Sequence, residues 1–258
     1  MNQRVLSSYN LAIQECADLY GKHFRQLKSI NTDNLSQNAV SYDVTIDILV
    51  ALSKLISEQI GFFDRSVIEH IDKDAFHYSD TGMKDAEIKF NGRAEVENND
   101  QLIQPIPVAV IVSPDKSQAL IVRKKNNATR NGSAERGKDL FYFGGHVRLE
   151  DKQGHHSNLE IFQSGLLREL KEELGLDYVP DFNDPICILD RSRQRMKHIA
   201  ICTICTVDFN TINFKGDGLE FRDASLKKIR QSDFRNNRLH PERWSQLIIQ
   251  HVLNWTFI

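Results

Sequence analysis

The sequence predicts an α/β protein, with a helical region at the N-terminus followed by a domain in which short strands surround one acidic helix. Up to about residue 80, apolar residues recur every three or four positions, which is the period of a helix. From about residue 85 the pattern changes to short runs rich in β-branched residues, which favour strands. Residues 160–175 return to the helical period with a dense cluster of glutamates. We therefore expect a helical region, residues 1–84, and a second domain, residues 85–258.

Three helices are predicted in the N-terminal region. The first covers residues 6–27, the second residues 43–59 with Asp43 as its N-cap, and the third residues 62–71, after an interruption at Gly61. Their apolar stripes have two interpretations. The stripes pack against the second domain or against a second copy in a homodimer, or they form a dedicated partner-binding module. The first is favoured because apolar residues at helical spacing usually form core.

The second domain begins with predicted strands. The β-rich runs cover residues 87–97, 108–112 and 119–122, and Pro105 and Pro107 mark the entry into the sheet. A further apolar run, residues 140–143, ends at Gly144 and Gly145, as expected of a strand that turns into a loop. Residues 186–189 and 197–208 predict two more strands, and residues 241–255 predict a closing helix.

Composition and charge exclude several classes of partner. A net charge of −2 and a pI near 6.5 leave no basic footprint for duplex nucleic acid. No apolar run approaches the ~20 residues of a membrane helix, and the N-terminus lacks the charged-then-apolar order of a signal peptide. We therefore expect a cytoplasmic protein with no membrane partner and no duplex nucleic acid partner.

The four cysteines are too few and too scattered to indicate a disulfide framework. Cys202 and Cys205 lie three residues apart in a β-rich run, so in a strand they point to opposite faces of the sheet. Without a second pair of ligands, zinc binding or redox chemistry is disfavoured. We expect these cysteines to belong to the core.

The segment from residue 160 to 175 carries the main chemical signal. At ~100° per residue, Glu169, Glu172 and Glu173 fall within roughly 100° of one helix face. Three like charges so close together repel one another, and carboxylate oxygens at this density suit a hard divalent cation such as Mg²⁺ or Mn²⁺. The helix can dock on a sheet through a separate apolar stripe, formed by Leu166, Leu167, Leu170 and Leu174.

An ordinary solvated helix would also carry a run of charges, so the exact pattern has to decide between the two interpretations. Six residue types stand at set offsets: Glu160, Arg168, Glu169, Glu172, Glu173 and Gly175. At a typical usage of about 6% each, they coincide by chance in roughly one chain in 10⁵ of this length. We therefore prefer the functional interpretation.

This segment, with Gly154 six residues before Glu160 and a Gly144-Gly145-His146 turn upstream, resembles the signature box of the Nudix hydrolases. These are MutT-like pyrophosphohydrolases that cut nucleoside diphosphates linked to another group. The resemblance implies an α/β/α sandwich with a mixed sheet, and a metal-dependent hydrolysis of a phosphoanhydride in a nucleotide-type substrate.

The resemblance also implies a set of metal ligands. It assigns Mg²⁺ or Mn²⁺ to Glu169, Glu172 and Glu173, and it gives Arg168 the role of fixing a neighbouring glutamate through an ion pair. By the same resemblance, a backbone carbonyl at Gly144 or Gly145 adds a ligand, since glycine lets the main chain approach closely.

One departure from the family pattern concerns the opening glycine of the box. In the family this glycine is usually the second of a Gly-Gly pair, whereas here Gly145 lies nine residues before Gly154. Either Gly145 is the equivalent and residues 146–155 are a loop insertion, or Gly154 opens the box. The first is favoured, because Gly144 and Gly145 end an apolar run as a strand-to-loop turn should.

The general base is left open among four glutamates. Proton removal requires a carboxylate within hydrogen-bond reach of the attacking water, and family members differ in the residue that provides it. Glu173, Glu169, Glu160 and Glu220 qualify by type. Glu220 lies in a segment, residues 219–229, that resembles the late family segment in which a strand meets a short helix; Asp217 is the second candidate there.

Candidate substrate-binding residues are mostly cationic. Arg193 and Arg195 belong to a basic run, residues 191–197, whose alternate positions face one way if the segment is extended. Cations placed there neutralise a diphosphate, although a surface strand with basic residues is an equally good interpretation. Arg123 and His146 complete the candidate set. A long polar segment, residues 126–139, could also carry its basic side chains over phosphates.

Two rival functions remain. A non-hydrolytic nucleotide sensor would bind through the same fold and act through the N-terminal helices, but a degenerate acidic face would be expected there, and every carboxylate of the box is present. An isomerase of prenyl diphosphates is the second rival. The sequence shows no paired Cys and Glu motif that would support it.

Overall fold

The computed structural model describes residues 58–123, 137–178, 181–192, 196–212, 225–230 and 239–255. The chain separates into two compact units. One contains Met1–Gln59 and Asn91–Asn99, and the other contains Ile60–Phe90 and Asp100–Ile258. The first two predicted helices lie outside the described residues, except for residues 58 and 59, which are not helical. The division of the chain at residues 84 and 85 stays a prediction.

The described parts of the chain contain ten strands. They are β1 Gln59–Asp64, β2 Ala75–His77, β3 Lys89–Gly92, β4 Leu102–Val112, β5 Gln118–Arg123, β6 Asp139–Leu140, β7 Phe143–Gly144, β8 Ile186–Ile188, β9 His198–Thr206 and β10 Ser225–Arg230. The helices are α1 Arg93–Asn98, α2 Asn158–Leu174 and α3 Arg243–His251.

The sheet is mixed, as the family resemblance implied. Its main path runs β10-β5-β4-β9-β8-β2, while β1 and β7 also pair with β4, and β6 pairs with β5. β4 and β9 are parallel, from Gln104 opposite His198 to Val112 opposite Thr206. β5 and β10, like β8 and β9, are antiparallel. The predicted α/β class and mixed sheet are confirmed.

β4 is the central strand of the second unit. All its residues after Leu102 are buried, and a strand covered on both faces has a near-continuous apolar sequence. α2 lies against it with Leu166 and Leu170 fully buried. The predicted leucine stripe therefore docks the acidic helix on the sheet.

Pro105 and Pro107 lie inside β4, so the prediction that they mark the entry into the sheet is wrong. The N–H of Gln104 donates to the carbonyl of Lys197 at 2.8 Å, on the β9 side of the strand. Because successive backbone groups alternate in direction, positions 105 and 107 face the other side. On that side, β4 pairs with β1 only at residues 102–103 and with β7 only at residues 108–109. The two prolines, which have no backbone N–H, therefore remove no hydrogen bond between strands.

Local sequence explains why α2 begins and ends where it does. The hydroxyl of Ser157 accepts from the N–H of Glu160, and the Glu160 carboxylate accepts from the N–H of Ser157 at 2.9 Å. This reciprocal arrangement is a capping box. Gly175 ends the helix in the left-handed region, with φ of 65°, where glycine is favoured.

The third predicted helix, residues 62–71, is wrong. The segment begins in β1, where Phe63 pairs with Ile103 of β4, and continues as a 3-10 turn, Arg65–Ile68. Gly61 explains the difference: its N–H donates to the carbonyl of Val147 at 2.8 Å, and an added Cβ would lie 2.6 Å from the Ile88 side chain. Pairing with strands remote in sequence therefore outweighs the local helical period.

Two more predicted elements need correction. The predicted strand over residues 87–97 is a strand only as far as Gly92, and the chain then forms α1. In the first unit, Arg93 contacts Glu97 at 2.6 Å and Glu58 at 2.9 Å; the pair four residues apart supports the helix. The short helix expected at residues 225–229 is instead β10, because it pairs along its whole length with β5.

Two further predictions agree with the structure, the burial of the described cysteines and the presence of a closing helix. Cys187, Cys202 and Cys205 are buried and form no disulfide. The closing helix is α3, and its buried residues include Leu247 and Ile248. None of the helices in the described ranges is long and apolar enough to cross a membrane.

Candidate active site

A double-glycine turn brings the main chain against the acidic helix. Gly144 has a φ of 145°, and a Cβ on it would lie 2.2 Å from the Pro107 carbonyl oxygen. A Cβ on Gly145 would lie 2.6 Å from Oε1 of Glu169. The contact at Gly144 is with backbone and excludes any larger residue, whereas a larger residue at position 145 would require the Glu169 carboxylate to move. The turn therefore puts backbone, rather than side chain, directly beside the Glu169 carboxylate.

The three box glutamates differ in exposure. Glu169 is buried, at 9% exposure, whereas the Glu172 side chain is 51% exposed and Glu173 is half-buried. Glu169 and Glu172 share two arginine neighbours, Arg148 and Arg168. The predicted acidic face therefore exists for this pair, with its first carboxylate largely withdrawn from water.

Arg168 anchors Glu169 and ties three segments together. Its guanidinium contacts Glu169 Oε1 at 2.5 Å, both carboxylate oxygens of Asp151 at 2.9 Å, and the carbonyl of His146 at 3.0 Å. Burial by itself would lower the pKa of Arg168, but the ion pairs with Asp151 and Glu169 outweigh it and raise that pKa. Arg168 is a permanent cation that holds one carboxylate of the acidic face in place.

Burial has the larger effect on Glu169. It raises the pKa of the Glu169 carboxyl, because the ionised form loses water, and the positive charges of Arg168 and Arg148 oppose the rise. Nearby positive charge therefore favours the ionised form of Glu169.

Arg148 is a second cation of the acidic face. Its guanidinium lies 3.7 Å from Glu169, 3.6 Å from Glu172 and 3.8 Å from Glu150. Its side chain is 23% exposed. It therefore partly neutralises the same two carboxylates that the sequence assigns to a metal ion.

Solved structures provide the comparison with known proteins, since no protein-family model and no curated protein sequence matches the chain. The chain is similar to Tm1382, provisionally assigned as a Nudix hydrolase, at 20% identity and a TM-score of 0.55, over 77% of this chain and all of Tm1382. The chain has the Nudix fold. The MutT protein from Methanosarcina mazei Go1 also matches, at 19% identity and a TM-score of 0.36, over 54% of this chain and 86% of that protein.

The structure favours Gly145 over Gly154 as the opening glycine of the Nudix box. Gly145 lies against Glu169, whereas an added Cβ on Gly154 would meet nothing within 4 Å. The residues between them form a loop that contains a 3-10 turn, Leu149–Lys152. With Gly145 as the opening glycine, the chain has nine extra residues between that glycine and Arg168, compared with the spacing from Gly154.

Sequence reasoning missed Asp151, which is 4% exposed and pairs with Arg168. It also accepts from the N–H of Arg148 at 2.8 Å. The sequence held a signal for it: Asp151 follows Gly145 by six residues, the same offset that separates Glu160 from Gly154. Once Gly145 is taken as the opening glycine, Asp151 occupies the first acidic position of the Nudix box.

Glu160 lies apart from this network. It caps the exposed start of α2, where backbone N–H groups of Ser157 and His156 lower the pKa of its carboxyl. Nine residues separate it from Glu169, about 13 Å along a helix. The structure does not bring Glu160 together with the acidic face.

The other predicted site residues divide into two groups. Arg123 forms a bidentate ion pair with buried Asp139, with both distances 2.6 Å, and His146 lies next to the box, its ring 3.0 Å from Oε1 of Gln104. Glu220, Arg193 and Arg195, together with Asp217, Arg130 and Arg136, lie outside the described residues.

The Nudix box residues fit a divalent cation by chemistry. Carboxylate oxygens and backbone carbonyls are the donors that Mg²⁺ and Mn²⁺ prefer. The absence of a side chain at Gly145 brings the main chain close to the Glu169 carboxylate. In the parts of the chain that the structure describes, however, no three His, Cys, Asp or Glu side chains are arranged to hold a metal. Glu169 and Glu172 both contact arginine side chains instead.

Proposed function

We propose that this protein is a metal-dependent Nudix-type hydrolase, which cleaves the phosphoanhydride of a nucleoside diphosphate linked to another moiety or of a related nucleotide. The observation that carries the proposal is the position of Glu169. Its carboxylate is buried, held by Arg168 at 2.5 Å, and faced by a glycine whose Cβ would lie only 2.6 Å away. A carboxylate buried beside the main chain lowers the stability of the fold through its desolvation. Such groups are found preferentially at functional sites.

Four groups would hold the cation: the carboxylates of Glu169, Glu172 and Glu173 and the carbonyl of Gly145. Mg²⁺ or Mn²⁺ bound there supplies charge neutralisation of the diphosphate and a lowered pKa of the attacking water. Arg168 orients Glu169 throughout, because Asp151 and the His146 carbonyl fix the guanidinium from the other side.

The proton acceptor is proposed to be Glu173 or Glu169, the two less exposed of Glu169, Glu172 and Glu173. Glu160 is engaged in the cap of α2, which makes it a weaker candidate. Glu220, together with Arg193 and Arg195 as diphosphate ligands, stays a prediction. His146 is proposed to contact the substrate, and its position next to Gly145 supports this role.

The proposal is tested by release of phosphate or of nucleoside monophosphate from a panel of NDP-sugars, ADP-ribose, dinucleotides and NTPs, with and without Mg²⁺ or Mn²⁺. We expect hydrolysis of at least one class, and only with metal. Hydrolysis that persists in excess chelator would contradict it.

A matched pair of variants locates the activity. Glu173→Gln keeps the shape of the side chain and removes its charge, so we expect kcat to fall at least about a hundredfold with an unchanged circular dichroism spectrum. Glu69→Gln makes the same change at an exposed position of the second unit and should retain full activity. Equal turnover in the two variants would count heavily against the assignment.

A non-hydrolytic nucleotide sensor is the second candidate. It is favoured by the ion pairs of Arg148 with Glu169 and Glu172, which supply internally the positive charge that a metal would bring. Silence across the whole substrate panel, with nucleotide binding retained, would select this alternative.

A further inference from the structure

Three polar side chains from separate segments meet next to the Nudix box. Gln104 of β4 lies directly opposite His198 of β9 in the parallel register. Oε1 of Gln104 lies 3.0 Å from Nε2 of His146. The two imidazole rings meet edge to face, with centroids 5.6 Å apart. We call Gln104, His146 and His198 the polar triplet.

Gln104 has a buried donor that the described residues do not satisfy. The residue has no exposed surface, and its Nε2 has no hydrogen-bond partner among the described residues. Buried polar groups are nearly always paired in native proteins, and an exception calls for an explanation such as a ligand or ordered water. The apolar sequence of β4 around it makes a glutamine at this position more unusual, since an aliphatic side chain would carry no such cost.

The triplet is connected to the proposed catalytic face through one residue. The carbonyl of His146 accepts a hydrogen bond from Arg168, and Arg168 also contacts Glu169. Gly145 immediately precedes His146 in the chain. The two histidine residues are half-buried. The backbone of His146 therefore adjoins the proposed catalytic face, while its ring belongs to the polar triplet.

The chemistry of the triplet favours a nucleobase over a phosphate. An amide and two imidazoles are planar groups that donate and accept hydrogen bonds, and proteins use such groups to read base edges and to stack against base faces. Phosphates are instead taken by cations such as arginine. Resting on the function proposed above, we infer that Gln104, His146 and His198 form the subsite for the nucleobase of the substrate.

Binding without metal tests the subsite independently of hydrolysis. The wild-type protein is titrated calorimetrically, without metal, with the four common ribonucleoside monophosphates and with ribose 5-phosphate, which lacks the base. We expect at least one nucleotide to bind tenfold or more tightly than ribose 5-phosphate, since one good hydrogen bond to a buried partner is of that size. Equal affinities would overturn the inference.

Two variants remove the hydrogen bonds of the triplet in different ways. Gln104→Leu keeps the volume and His198→Phe keeps the ring, so one remains usable if the other fails to fold. Each should lose the preference for the nucleotide while its affinity for ribose 5-phosphate stays within about twofold. Gln250→Leu makes the matched change on an exposed position of α3 and should keep the wild-type preference. A preference retained in a folded triplet variant would overturn the inference.

The two proposals fail in distinguishable ways. If the wild-type protein hydrolyses a nucleotide but the triplet variants keep the base preference, the subsite is wrong and the hydrolase stands. If base-dependent binding is lost in the triplet variants but no substrate is hydrolysed, the hydrolase is wrong and the subsite stands. In an active enzyme, Gln104→Leu should raise KM about tenfold with little change in kcat, the signature of lost uniform binding.

Discussion

Two guanidinium groups control the charge of the acidic face. Arg168 is fixed by Asp151 and by a backbone carbonyl, whereas Arg148 makes longer contacts, 3.6–3.8 Å, and is more exposed. At an effective dielectric constant near 20, a unit-charge pair at such a distance attracts by roughly 4 kcal/mol before desolvation costs. A divalent cation carries twice the charge, so it can displace Arg148 but has less effect on the tightly bound Arg168.

Replacing Arg148 should therefore strengthen metal binding. We expect Arg148→Gln to bind Mn²⁺ about fivefold more tightly than the wild-type protein, or about 1 kcal/mol, because no internal cation competes for Glu169 and Glu172. Isothermal titration with Mn²⁺ in the absence of substrate measures this. Lys171→Gln removes a positive charge from an exposed position of α2 and is the control. Unchanged or weaker binding in Arg148→Gln would refute the competition.

Asp151 should be a positioning residue as well as a stabilising one. Its side chain is 3% exposed and binds Arg168 through both oxygens, so Asp151→Asn leaves a largely buried cation poorly compensated. We expect a loss of about 3 kcal/mol in the free energy of unfolding, measured in urea. Asp177→Asn, which breaks the exposed pair with Lys171, should change it by less than about 0.5 kcal/mol. Similar values for the two variants would contradict the role of Asp151.

At the scale of the element, α2 is defined at both ends by local chemistry. Ser157 and Glu160 satisfy backbone N–H groups at its start, and Gly175 allows the left-handed turn at its end. These caps stabilise the helix independently of its leucine stripe. The caps fix the position of the helix along its axis, and the buried leucines fix its rotation about that axis. Together they determine where the glutamates lie relative to the sheet.

The cap makes a pH-dependent contribution to stability. Hydrogen bonds from Ser157 and His156 lower the pKa of Glu160 below its ordinary value of 4.5. Its contribution is therefore complete above the unfolded-state pKa and is lost as the pH falls through the lower folded-state value. We expect the Tm of Glu160→Gln to lie below that of the wild-type protein at pH 7, and the gap to narrow below about pH 4. A gap that stays constant or widens on acidification would exclude this linkage.

At the scale of the whole second unit, the buried side chains of residues 60–78 belong to the hydrophobic core. The ring of Phe162 in α2 meets Phe63 edge to face at 6.4 Å and Tyr78 at 6.0 Å. All three residues are buried. The aromatic cluster couples the acidic helix to a segment that the helical period had assigned to the N-terminal region. A homodimer formed through that region stays a prediction.

This coupling should appear in the energetics of unfolding. Phe162→Ala should cost about 3–5 kcal/mol, and a double-mutant cycle with Phe63→Ala should give a coupling energy of about 1 kcal/mol. Urea denaturation supplies all four corners of the cycle. Leu149→Ala, at 43% exposure, should cost less than about 0.5 kcal/mol. Additive effects of the two phenylalanine changes would show that β1 does not pack on α2.

The sequence by itself determined the features that depend on neighbours in the chain. The acidic helix, its apolar stripe and the strands β5, β8 and β9 follow from periodicity, because helical hydrogen bonds join residues four apart and strand faces alternate by two. The turn at Gly144 and Gly145 was also accessible, since a double glycine at the end of an apolar run predicts a close turn.

Only the tertiary structure decided the features that join distant segments. β1 is a strand because Phe63 meets Ile103, forty residues away. Asp151, rather than Glu160, pairs with Arg168 because an inserted loop returns it to the helix, and Gln104, His146 and His198 meet only when the strands pair. Strand pairing and ion pairs act through space, so no period in the sequence records them.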